Sequence, residues 1–146
     1  MKRLGFAAAA VLLAFATPAA AQDDYPLKAS EWVEVSGIKI ADGHFLDYAN
    51  HLATLWRKSE DFAKEQGWIN GYEILLNTHP REGEPDLYLV VRFNEFESPE
   101  EGERRDKLYR QHMEMTISQM QEASGDRAEY RTLVGDMLLR KLVWKD

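Results

Sequence analysis

LYLVVRFNEFESPEE, residues Leu87 to Glu101, decides the fold. Its first half alternates. Leu87, Leu89, Val91 and Phe93 fall on one side, and Tyr88, Val90 and Arg92 on the other, which predicts a strand over 87–93. Its second half is a helix start. Ser98 can cap, Pro99 suits the first turn, and Glu101 completes a capping box. The helix is expected to run to about Ala123, with Ser124-Gly125 as its stop. Tyr109, Met113, Thr116, Ile117 and Met120 form its apolar stripe, with Leu108, His112 and Met115 on one flank.

Upstream, Asn77 to Asp86 carries Pro80, Gly83 and Pro85 and reads as a loop. Trp68 to Leu76 reads as a strand that pairs with 87–93 as a hairpin with a long connection. His44 to Gln66 has helical spacing. Phe45, Ala49, Leu52, Trp56 and Ala63 share a face, Tyr48 and Leu55 lie beside them, and Gly67 ends the helix. In Trp32 to Ile40, Val33 and Val35 alternate on one parity and Ile38 and Ile40 on the other, with Gly37 at the switch as an expected bulge. Thr132 to Trp144 is the last apolar, strand-forming stretch. The order is β-α-β-β-α-β. It predicts an α+β, ferredoxin-like fold: a four-stranded antiparallel sheet with two helices on one face. Several strands are apolar on both parities, so the uncovered face calls for a second copy packed sheet to sheet.

The N-terminus reads as a cleaved signal peptide over residues 1–21. Lys2 and Arg3 form a basic start, Leu4 to Ala16 an apolar run, and Ala19, Ala20 and Ala21 the small residues at a cleavage site. The run is shorter than the roughly 20 residues that span a bilayer. Export implies a periplasmic or secreted protein. Residues 22–30 read as a flexible leader, and 31–146 as a single domain. The chain has no cysteine, which excludes disulfides and a lipid anchor at cysteine. Removing 1–21 takes away two basic residues and no acidic one, so the net charge of −7 becomes −9. A domain that acidic repels nucleic acid and anionic membrane surfaces. No membrane insertion of the mature chain is expected.

Between residues 31 and 145 the chain resembles the dimeric α+β barrel superfamily. The resemblance rests on the element order, on Gly67-Trp68-Ile69-Asn70-Gly71-Tyr72-Glu73, and on Leu87 to Phe93 followed by Phe96-Glu97-Ser98-Pro99-Glu100. It implies a homodimer. The superfamily includes cofactor-free monooxygenases and haem-binding or haem-degrading proteins. In monooxygenase-like members a histidine follows the serine more closely. Here His112 comes fourteen residues after Ser98, about two helical turns later, and no catalytic role is carried across.

His112, within the stripe of the second helix, reads as a pocket acid, base or axial haem ligand, or as a core-edge histidine bonded to a carboxylate or carbonyl. Trp56 reads as the wall of an aromatic-ligand pocket or as core. Ser59, one turn on, marks a cavity or bonds back to its own helix. Tyr109 lies one turn from His112. Arg92 either pairs with Glu73 across the hairpin or meets an anionic ligand, and Asp136 and Arg140 raise the same two options. His44, Asp47 and His51 share a helix side, but the outer two are about 10 Å apart along the axis, so a solvated face is expected and no metal. Phosphate loops, G-x-S-x-G and H-E-x-x-H are absent from the sequence. The expected function is an exported homodimer that binds a small apolar or aromatic ligand, without a cofactor. The alternative is an enzyme, a cofactor-free monooxygenase or a haem-handling protein, using His112 with Trp56 or Tyr109 nearby.

Overall fold

β1 (Leu27–Ile40) runs inside a four-stranded antiparallel sheet of order β2-β3-β1-β4, with β2 at Gly71–Leu76, β3 at Leu87–Phe93 and β4 at Arg131–Trp144. The computed structural model describes residues 25–145. The expected signal, 1–21, lies outside the described residues. Three helices complete the α+β fold. The first is a rod in three stretches: α1 (Phe45–His51), a π-helical turn at Leu52–Trp56, and α2 (Arg57–Glu65). The others are α3 (Pro99–Met113) and α4 (Ile117–Ala128).

Strand β3 has the boundaries its alternation predicts. Other expectations need correction. β1 starts at Leu27, inside the stretch read as a flexible leader, because Leu27, Lys28 and Ala29 pair with Trp144, Val143 and Leu142. β2 starts at Gly71 and not at Trp68, whose ring packs edge-on against Phe62 at 5.3 Å. The second helix is not continuous. Glu114 takes a left-handed φ of 57° and ends α3, and Thr116 restarts the helix with a complete capping box to Gln119. Gly125 then lies inside α4 and does not end it. The expected box at Ser98 forms only by half. Ser98 Oγ accepts from the Glu101 N–H at 3.2 Å, while the Glu101 carboxylate turns to Arg104 and Arg105.

Gly37 does mark a register shift, but the extra residue is on the neighbouring strand. Gly37 pairs with Gly135 and Ile38 with Leu133, so Val134 bulges out of β4. Gly37 answers a different demand: a Cβ there would lie 2.6 Å from the Pro85 ring. From Trp32 to Ile40 β1 therefore alternates without interruption, its own extra residue lying earlier, between Ala29 and Trp32. Ile38 and Ile40 face the helices, and Val33 and Val35 face the other way.

Ile38, Ile40, Tyr48, Leu52 and Leu87 form the buried cluster, with Trp56, Leu89 and Tyr130 packed around it. Tyr48, expected at the flank of the stripe, is buried, whereas Phe45 is exposed. The π turn takes up an extra residue and rotates the face that follows. Thr54 supports it by donating its hydroxyl to the Asn50 carbonyl at 2.7 Å. Asp86 ties the end of β1 to β3. It accepts from Lys39 Nζ at 2.7 Å and from the Ile40 N–H at 2.8 Å.

The opposite sheet face carries no helix among the described residues. Val35 pairs with Val90 on β3 and with Met137 on β4, and Val33 pairs with Leu139. The two valines at the centre are buried, while Leu75, Met137 and Leu139 around them are about half exposed. Two ion pairs lie on this face: Arg92 with Glu73 at 2.6 Å and Lys39 with Asp86 at 2.7 Å. Among the described residues, no helix is long and apolar enough to cross a membrane.

Candidate functional site

Three of the five residues singled out from the sequence meet at one place. Trp56 from the π turn, Ser59 from α2 and Tyr109 from α3 line a cleft of about 170 Å³ between the helical rod and α3–α4. Its walls are Leu55, Met113, Met115, Met120 and Ala123, and His51 and Arg127 supply the charge-bearing side chains. The π turn places Trp56 here, with its ring edge-on against Tyr72 at 5.1 Å. Tyr72 in turn donates its hydroxyl to Asp61 at 2.5 Å and so fixes the ring on which Trp56 rests. The α3–α4 break bends the second helical stretch so that methionines on both sides of it face the same space. Methionine, unbranched and flexible, conforms to an irregular space.

Arg127 brings a positive charge to the cleft wall. Burial first, then Arg127 and Arg131, push the His51 imidazole down to about 4. It is therefore neutral at physiological pH. Burial also pushes the Tyr48 phenol up, against the pull of Arg131 and Arg127. Neither arginine forms an ion pair or a side-chain hydrogen bond among the described residues, and the Nε of each is buried without a partner.

The other two candidates lie elsewhere. His112 stacks flat on Phe62, with ring centroids 4.1 Å apart and planes at 10°, and ties α3 to α2. Arg92 is on the opposite sheet face, in the cross-strand pair with Glu73 that is one of its two expected readings. Arg140, read in the same way, lies over the Trp32 ring at 4.2 Å. His44 pairs with Asp47 at 2.8 Å on an exposed helix side. Among the described residues, no three histidine or carboxylate groups come together as a metal site.

A larger hollow of about 450 Å³ lies between the sheet and α3, walled by Trp68, Phe93, Phe96 and Tyr109, with Glu34 and Arg105 at its edge. Arg105 is already neutralised there, by Glu101 at 2.8 Å and Glu97 at 3.2 Å. Glu60, on α2, is half-buried. Burial first, then the neighbouring Glu34 carboxylate, push it up to about 7, and a hydrogen bond with Ser59 offsets part of this.

Sequence reasoning missed Arg127, which lines the cleft, and Arg131 and Glu60, which line no described cavity but carry charge that bears on neighbouring groups. The two arginines fall beyond the expected helix stop at Ser124-Gly125. The capping signature Thr116-x-x-Gln119 was the signal that a new helix begins and carries Arg127 with it. Comparison with family models, with curated proteins and with solved structures finds no match to this chain, so the geometry carries the functional reading.

Proposed function

We propose that this chain is an exported, ferredoxin-like domain of the dimeric α+β barrel type. It acts as a homodimer that binds a small apolar or aromatic molecule, in the cleft between the π turn and α3–α4. The observation that carries the binding reading is the convergence of Trp56, Ser59 and Tyr109 on one methionine-walled cavity. A ligand site of this kind is mostly apolar with a few placed polar groups. A dry cavity of about 150 Å³ is enough for benzene, so about 170 Å³ suits a single ring with a short substituent. The basic n-region and apolar run of residues 1–21 support export.

Methyl labelling of methionine tests the binding reading directly. With 2-phenylethanol as the probe, the Met113, Met115 and Met120 methyl signals are expected to shift saturably, while Met137, on the far sheet face, stays still. Ala123→Phe, which fills the cleft, should remove the response. Unmoved signals at millimolar probe would sink the proposal.

The strand order β2-β3-β1-β4 supports the barrel-type reading, as does the uncovered face centred on Val35 and Val90. An apolar face whose central charges, Arg92 and Lys39, are paired internally is suited to a copy of itself. Light scattering after size exclusion should give twice the chain mass, and Leu139→Asp should give the monomer. A wild-type monomer at high concentration would refute the dimer.

A further inference from the structure

Arg127 and Arg131 stand out among the arginines. Every other described arginine has a carboxylate partner, or, for Arg140, the Trp32 ring. In a chain with 25 acidic residues, partners are plentiful. Yet these two have none among the described residues, and the Nε atoms of both are buried and unpaired. Buried polar groups are normally satisfied, and a charged donor left without an acceptor is costly. Arg127 lines the methionine-walled cleft. Arg131 opens β4 opposite Ile40 and lies outside the cleft's own lining, and the charges of both arginines bear on His51 and Tyr48. His51, being neutral, adds no third positive charge and can offer a ring nitrogen as a donor.

We propose that Arg127, with the charge of Arg131 behind it, forms an anion-binding end of the cleft, and that its ligand is a small aromatic or apolar monocarboxylate. This rests on the cleft being a ligand site and names the class of ligand. The apolar wall of Trp56, Met113, Met115 and Met120 takes the ring or tail. The planar guanidinium fork takes the carboxylate, which it can hold through two parallel hydrogen bonds. The contrast with the larger hollow favours this cleft. There Arg105 already has two glutamates, so an incoming anion would find no free charge.

The test compares phenylacetate with 2-phenylethanol, which share a ring and a two-carbon side chain and differ in charge. Both are titrated into the full chain at about pH 7.5, where the acid is ionised, with the methionine methyl signals as the readout. Phenylacetate is expected to bind about ten-fold tighter or better, through the same Met113, Met115 and Met120 signals. Arg127→Gln should erase that preference, and Arg131→Gln should reduce it. Because the wild-type ratio alone decides the question, a variant that folds poorly does not obscure it. Equal binding of the two probes would overturn the carboxylate proposal and leave the cleft standing. If neither probe moves the signals, both readings fall.

Discussion

Replacing Ile38 with alanine is expected to destabilise the fold by about 3 to 5 kcal/mol, the upper part of the range for a large-to-small core substitution. Ile38 is 1% exposed, less than any other residue of the core. It lies on β1 opposite Leu87 on one side and Leu133 on the other, beneath Tyr48 and Leu52. The neighbours that could collapse into the space are held by the sheet ladder on two sides and by the π-containing rod above. The cavity would therefore persist, and its volume adds to the lost transfer energy. For a domain of this size the total stability is about 5 to 15 kcal/mol, so a single substitution would remove a large share of it. Urea unfolding should show a lower midpoint with an unchanged slope. Leu76→Ala, at a residue 57% exposed, serves as the control and should cost under about 0.5 kcal/mol. A loss at Ile38 no larger than the control's would mean that the core is not centred on β1.

Ile38 also illustrates what the sequence made legible. The change of parity between Val35 and Ile38 is visible as a pattern, and it reads as a bulge in the same strand. The bulge is in β4, at a position that alternation in β1 cannot reveal. The consequence is physical: one strand, regular from Trp32 to Ile40, presents apolar residues to the helices and to the open face, which is what the dimer proposal needs. Strand β3 was legible because period-2 alternation over seven residues admits one reading. The α3–α4 break was not, because Tyr109, Met113 and Met120 keep helical spacing across it. Trp56, Ser59 and Tyr109 were found because large or polar residues on an apolar stripe stand out. His51 was missed as a cleft residue, since it was grouped with His44 and Asp47 on the outside of a straight helix. A period of 3.6 applied across a π turn averages two different faces. His112, the most prominent candidate in the sequence, has its ring against Phe62. Helical position alone does not distinguish a side chain aimed at a cavity from one aimed at a neighbouring ring.

Glu60→Gln is expected to stabilise the protein at pH 8 by about 1 to 2 kcal/mol and to change little at pH 4.5. The Glu60 carboxyl is half-buried and faces Glu34, and burial, more than the neighbouring charge, pushes it up to about 7 from an ordinary value of 4.5. The sign follows from proton binding. The folded chain holds a proton that the unfolded chain releases, so the contribution is fully present below about 4.5 and is lost as pH rises through about 7. A shift of that size corresponds to about 3 kcal/mol for a fully buried group, and solvent access at a half-buried one reduces it. His51 works in the opposite direction. Its folded value of about 4 lies below the ordinary 6.5, so the unfolded chain takes up a proton that the folded chain refuses, and stability is lost as pH falls from about 6.5 to 4. Together the two groups place the stability maximum of the wild type between these limits, on the acid side of neutrality. Glutamine at position 60 keeps the shape and the hydrogen-bonding capacity of the protonated acid and cannot ionise. It should leave the acid limb, governed by His51, in place and lift the alkaline limb, moving the maximum above pH 7. Urea midpoints measured from pH 4.5 to 8 decide the matter. Curves for the wild type and Glu60→Gln that run parallel across that range would show that the carboxyl ionises freely, and that α2 does not press Glu60 against Glu34.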